Sequence, residues 1–226
     1  MRHAFIPDTQ LKKGVKTNHI IAAGNWIAAH FKAGDRVIIA GDWWDLPSLS
    51  SYDKPGDRGW EEKNLDDDIN FPNEVMADLF NCFSKKQLKE INFYFTEGNH
   101  ENRLTRAQDA AQSRIYGSVL SHNRLNLEKC RFVPFLHKLK LDGVMYSHYF
   151  TDPNKHSDRP LGGSIKNRLQ KLCCSFVMGH QQEHALIKCR QAMTAGYTDL
   201  FLGSFISMTK ITEARRKTKN GPGLIS

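Results

Sequence analysis

The chain of 226 residues carries 32 Lys and Arg against 24 Asp and Glu, a net charge of +8, with 40% hydrophobic and 25% charged residues. That is the balance of one folded globular domain, and it excludes global disorder and fibrous repeats. No apolar stretch approaches the ~20 residues of a membrane helix, and the apolar run at 4–7 is too short for a secretory signal. A cytoplasmic location is therefore expected, with the five cysteines read as reduced, buried thiols, since only Cys173 and Cys174 lie close together.

Taken in chain order, short apolar runs predict strands at 4–7, 36–40, 91–96, 143–147, 174–178 and 185–188. Ile20, Ile21, Trp26, Ile27 and Phe31 recur at near-helical spacing and predict a helix over 17–32, capped by Thr17 or Asn18. Val75, Leu79, Phe80, Phe83 and Leu88 predict a second helix over 73–89, and a third is expected near 164–171. Strand alternating with helix is the grammar of an α/β fold. After Leu136 the strands come closer together, with Asp142-Gly143 as a hairpin turn. The polar, turn-rich segment 47–68 is too long for a plain connection and predicts a substrate-side cap or loop insertion.

In α/β folds ligands gather at the carboxyl ends of strands, so the residues after each run matter most. They are Asp8-Thr9-Gln10, Gly41-Asp42-Trp43-Trp44-Asp45, Gly98-Asn99-His100-Glu101, His148, and Gly179-His180-Gln181-Gln182-Glu183-His184. One polar strand end is unremarkable, but five in succession offering oxygen or imidazole donors point to divalent cations. Glycine before Asp42, Asn99 and His180 permits the tight turns such a site needs.

This ordered set resembles the calcineurin-like metallophosphoesterases, whose pattern is D-x-H, G-D-x-x-D, G-N-H-[ED], a later His, and G-H-x-H. The match runs from Asp8 to Gln182. The Phe5–Gln10 run, Pro47–Asp53, Ser147-His148-Tyr149-Phe150 and Gly179–Gln182 look closest to members carried by tailed phages and prophages. The resemblance implies a four-layer αββα sandwich over residues 1–205 and two divalent ions. It makes Asp42 the bridging ligand, Asn99, His148 and His180 the rest of the second site, and Asp8 a first-site ligand. It makes His100 the general acid or phosphate contact, oriented by Asp45.

Two positions depart from that pattern: Gln10 and Gln182 stand where first-site histidines are expected. His184 is no simple substitute, because residues two apart in extended chain share a face with a rise of ~6.6–6.8 Å, whereas four apart rise ~13 Å. A first site of carboxylates and amide oxygens from Asp8, Gln10, Asp42 and Gln182 favours Mn²⁺ or Mg²⁺ over Zn²⁺ and weak binding. Two such ions clamp a phosphate and generate the attacking hydroxide. The expected activity is hydrolysis of a phosphodiester, nucleic acid or nucleotide, in the cytoplasm of a phage's host.

Arg103 and Arg106, just after the Gly98 turn, are phosphate-contact candidates, against the plainer reading of a solvated helix face. Trp43 and Trp44 are candidates to stack on a base of DNA or RNA, with buried packing as the competing reading. Other readings remain open: a phosphomonoesterase acting on phosphoprotein or small metabolites, or a phosphate- or nucleic-acid-binding module that has lost catalysis. From Ile206 the tail carries Lys210, Arg215, Arg216, Lys217 and Lys219 against Glu213, half the net charge. Read one base out of register, its codons can encode an acidic, aromatic continuation like that of the phage relatives, so 206–226 is expected to be an out-of-frame or disordered ending.

Overall fold

Strands covered on both faces are apolar throughout, which is why the runs read from the sequence become the strands of the fold. The computed structural model describes residues 1–51, 56, 63–109, 119–181, 185–190 and 197–202; the tail from 206 lies outside them. In order the elements are β1 (His3–Ile6), α1 (Asn18–His30), β2 (Arg36–Ile39), α2 (Leu65–Asn81), α3 (Lys85–Glu90), β3 (Asn92–Thr96), α4 (Asn102–Asp109), β4 (Arg131–Val133), β5 (Leu139–Leu141), β6 (Val144–Ser147), α5 (Ile165–Leu172), β7 (Ser175–Met178), β8 (Ala185–Arg190) and β9 (Tyr197–Leu202). No helix among the described residues is long and apolar enough to cross a membrane.

The chain is α/β. One sheet has the order β1-β2-β3-β4, with every pairing parallel. A second has the order β5-β6-β7, an antiparallel hairpin followed by a parallel pair. The β8-β9 hairpin sets β9 beside β7. Asp142 and Gly143 turn between β5 and β6 with φ of 48° and 84°, the left-handed pair that a two-residue hairpin requires.

Alternate residues of the first sheet serve two different cores. Val37, Ile39, Phe93 and Phe95 pack with Ile20 and Ile27 of α1 and Val75, Met76 and Leu79 of α2. Ile38 and Tyr94, on the other face, pack with Leu141, Tyr146 and Val177 of the second sheet. Phe176, Met178 and Leu169 of α5 form a third cluster with Tyr149 and Phe150.

Several elements differ from expectation. The helix expected over 73–89 is two helices with different boundaries. α2 starts eight residues earlier, where Asn64 accepts the Asp66 and Asp67 N–H groups and three aspartates occupy the first turn. Pro72, just before the expected start, lies inside it. A capping box between Ser84 and Gln87 then opens α3. The end of the expected 47–68 insertion is consequently helix, while 52–55 and 57–62 lie outside the described residues. Trp26 is 57% exposed, stacked on His30 rather than facing the core. Cys173 is exposed, and Cys82, Cys130 and Cys174 are only half-buried.

Candidate metal centre

Register brings the strand ends together. Ile6, Ile39 and Phe95 lie level across β1, β2 and β3, and Ser147 is level with Met178 across β6 and β7. The next residues along each strand therefore leave the sheets at one edge. Asp8 N–H donates to Gly41 O at 3.2 Å, Gln10 N–H to Asp42 O at 2.7 Å, and Gly179 N–H to His148 O at 2.9 Å.

Asp42, His148 and His180 form a group able to hold a metal ion, each offering a ligand atom within 4.8 Å of the others. His148 Nε2 lies 3.3 Å from Asp42 Oδ2, 3.0 Å from Asn99 Oδ1 and 3.2 Å from His180 Nδ1. Its Nδ1 is 2.8 Å from Ala40 O and must donate there. That bond leaves the Nε2 lone pair of neutral His148 aimed at Asp42, Asn99 and His180, the orientation a ligating imidazole requires.

Asp8 stands beside this group. Both of its oxygens lie 2.8 Å from the His180 backbone N–H, and Oδ1 is 3.9 Å from His148 Nδ1. Gln10 follows at the same strand end in the left-handed conformation, φ 45°, and Gln182 lies outside the described residues. Asp8, Asp42 and His180 also take positive φ, of 48°, 48° and 66°. Such backbone is uncommon outside glycine and collects at ligand sites.

Two glycines make the close approach sterically feasible. A Cβ on Gly98 would run into Asp42 Oδ1 and its backbone N, and one on Gly179 into Asp8 Oδ2. Only hydrogen at these positions lets the carboxylates sit so near the neighbouring turn.

The electrostatics follow from burial and from mutual contact. Burial lifts the Asp8 carboxyl to about 6, partly opposed by His148. For Asp42 burial acts upward, but the His148 ring beside it wins and holds the carboxyl down to about 2. Reciprocally, burial lowers His148 while Asp42 raises it, to about 9. His180 is lowered, by burial and then by His148. One proton is thus held between Asp42 and His148, which a divalent cation would replace.

His100 lies at the rim. Its Nδ1 is 3.0 Å from Asp45 Oδ1 and 2.8 Å from Asp45 O, so the expected His100–Asp45 pair is made. Burial lowers the His100 pKa, yet the Asp45 bond and the Asp42 charge raise it on balance. Lys12 holds the other Asp45 oxygen at 2.9 Å. Arg103 donates through Nη1 to Asp45 O at 2.8 Å and Leu46 O at 3.2 Å, with Nη2 3.2 Å from His100 Nε2. Arg103 and Arg106 line a cleft of about 710 Å³ that also reaches Asn99 and His180.

The tryptophans do not stack on a substrate. Trp43 and Trp44 are fully buried, their indole N–H groups donating to Pro72 O at 3.0 Å and Asn73 Oδ1 at 3.2 Å. Both pack into the core between the first sheet and α2. A residue without an assigned role proves central instead. Fully buried Glu101 accepts the backbone N–H groups of Asp42 at 2.9 Å, Gly98 at 3.0 Å and Trp44 at 3.0 Å. Its placement right after Gly98-Asn99-His100 was the available signal. Phe135 and Arg159 also line the cleft and stood in no sequence pattern, while Tyr149, also on its wall, stood only in the Ser147–Phe150 run.

No protein-family model matches the chain, and no curated protein matches it.

Proposed function

We propose that the chain is a metal-dependent phosphoesterase of the calcineurin-like kind that hydrolyses a phosphodiester of nucleic acid or a nucleotide, acting in a host cytoplasm. The observation that carries this reading is the Asp42–His148–His180 group, with Asn99 on the same His148 nitrogen and the His100–Asp45 pair beside it. The two face-to-face sheets with helix clusters outside them support an αββα sandwich.

The donor set fits a divalent cation: one carboxylate, one amide oxygen and two imidazoles, with the tautomer of His148 fixed by Ala40 O. Asp42, Asn99, His148 and His180 would hold one ion, and Asp8, Gln10 and Gln182 would share a second with Asp42. Mn²⁺ is the first choice and Mg²⁺ the next. Bound there, such ions neutralise the phosphate and acidify a water for in-line attack. Asp45 holds the His100 ring through Nδ1, and Nε2, which lies 3.2 Å from Arg103 Nη2, would exchange that contact for the departing oxygen to deliver a proton. Arg103, fixed by Asp45 O and Leu46 O, offers charge to the same phosphate.

Turnover of a bis-nitrophenyl diester with Mn²⁺, compared with a mono-nitrophenyl ester, tests the reading. Expected is a diester preference, lost with EDTA and in Asp42→Ala, and reduced roughly 10²–10⁴-fold in His100→Ala. A monoester preference would instead mark a phosphomonoesterase. The capping of both Asp8 oxygens by His180 N–H favours one further alternative, a phosphate-holding module with a single ion. Metal-dependent hydrolysis that is lost in Asp42→Ala and falls by that factor in His100→Ala excludes it.

A further inference from the structure

The cleft extends well past the donor group, and its charge is uneven. Its walls carry Arg103, Arg106 and Arg159 against the single carboxylate of Asp158. Arg103 is committed to backbone carbonyls of the Asp42 turn. Arg106 follows one turn later on α4 and is exposed, as is Arg159. Among the described residues neither Arg106 nor Arg159 pairs with a carboxylate.

Arg159 is not on a loose loop. Thr151 bridges to Pro160, Leu161 N–H donates to Phe150 O at 2.7 Å, and Tyr149 OH donates to Asp158 O at 2.9 Å. These bonds tie the 151–162 connection to the end of β6, beside His148. Half-buried Phe135 lines the same cleft, edge-on to Tyr149 at 5.6 Å. A neighbouring cavity of about 490 Å³ shares Ser157, Arg159 and Pro160 and adds Lys155, with Lys171 paired to Asp152 at 2.6 Å.

An isolated phosphate needs only the donor group and Arg103. Two further guanidiniums lining the same cleft, neither paired with a carboxylate among the described residues, together with the Phe135 ring on its wall, suit a repeating polyanion. We infer that Arg106 and Arg159 hold the phosphate next to the scissile one and Phe135 the base beside it, so that the substrate is a single-stranded nucleic acid. This rests on the phosphoesterase reading above.

Binding is measured by fluorescence anisotropy with a labelled strand of eight thymidines in EDTA, where metal-dependent hydrolysis is suppressed, across a salt series. Expected is about tenfold weaker binding in Arg159→Ala and a salt slope shallower by about 0.7, with Arg159→Lys retaining the slope. Phe135→Leu weakens binding with the slope unchanged. In Mn²⁺, the ratio of kcat/KM for the strand to that for the bis-nitrophenyl diester falls about tenfold in Arg159→Ala. Equal affinity and slope in Arg159→Ala overturn the inference, as does a wild-type protein that turns over the small diester but does not bind the strand. Strand binding through Arg159 without turnover of either substrate supports the binding site and overturns the phosphoesterase reading.

Discussion

The Glu101 side chain holds the Asp42 backbone in place: Oε2 accepts the Asp42 N–H at 2.9 Å while also accepting the Gly98 N–H at 3.0 Å. The turns after β2 and β3 are thereby cross-tied through one buried carboxyl, and the Asp42 carboxylate of the donor group is positioned by a residue that is itself fully buried. Glu101→Ala leaves three buried N–H groups without their acceptor, at about 1–3 kcal/mol each. Expected is a loss of several kcal/mol in urea unfolding, with Mn²⁺ affinity falling at least tenfold by calorimetry in whatever fraction folds.

Gly98→Ala tests the steric side of the same arrangement. The added methyl meets Asp42 Oδ1 and the Asp42 backbone N, neither of which is the end of a flexible chain. A destabilisation of about 1–3 kcal/mol is expected, as for overpacked interiors. Gly14→Ala is the contrast, since its Cβ meets nothing within 4 Å although φ is 89°. It should cost stability through backbone strain alone and leave Mn²⁺ affinity at the wild-type value.

The pH dependence without metal has a definite sign. Asp8 and Glu101 are raised by burial, to about 6 and about 7, so their ionisation costs folding energy as pH climbs from their unfolded values of 3.8 and 4.5 through those points. His148, raised to about 9 from 6.5 by Asp42 against the effect of burial, stabilises the fold fully below pH 6.5 and loses that contribution as pH rises through 9. All three groups act in one direction. His180, lowered by burial and by His148, acts the other way below pH 6.5, so thermal unfolding in EDTA should show its decline in stability from about pH 6.5 to pH 9. Saturating Mn²⁺ should reverse the upper part of that slope, because the cation needs deprotonated ligands. Parallel curves with and without Mn²⁺ would contradict the donor group.

Trp43→Ala and Trp44→Ala should behave as core truncations, each losing about 3–5 kcal/mol. Trp44→Phe keeps most of the packing against Phe95, whose ring lies 5.6 Å away, and gives up only the bond to Asn73. Its KM for a diester or a strand should match wild type. A tenfold rise in KM with stability intact would return the indole to the substrate side.

Read alone, the sequence was enough to locate β1, β2, β3, β6 and β7 and to pick out Asp8, Asp42, Asn99, His100, His148 and His180 as the polar residues at their ends. A strand covered on both faces must be apolar along its length, so a polar residue at its carboxyl end stands out in one dimension. Elements without a buried stripe gave no such signal: β4 has two exposed residues of three, and α4 buries only Leu104. The apolar stripe alone places the start of α2 eight residues late, although Asn64 and the aspartates after it mark the helix start locally. Whether Trp43 and Trp44 meet solvent or core, whether Glu101 faces a ligand or three backbone amides, and whether Arg159 reaches the cleft were decided only in three dimensions. Each depends on what a distant segment places opposite that side chain, and neither residue type nor spacing encodes that.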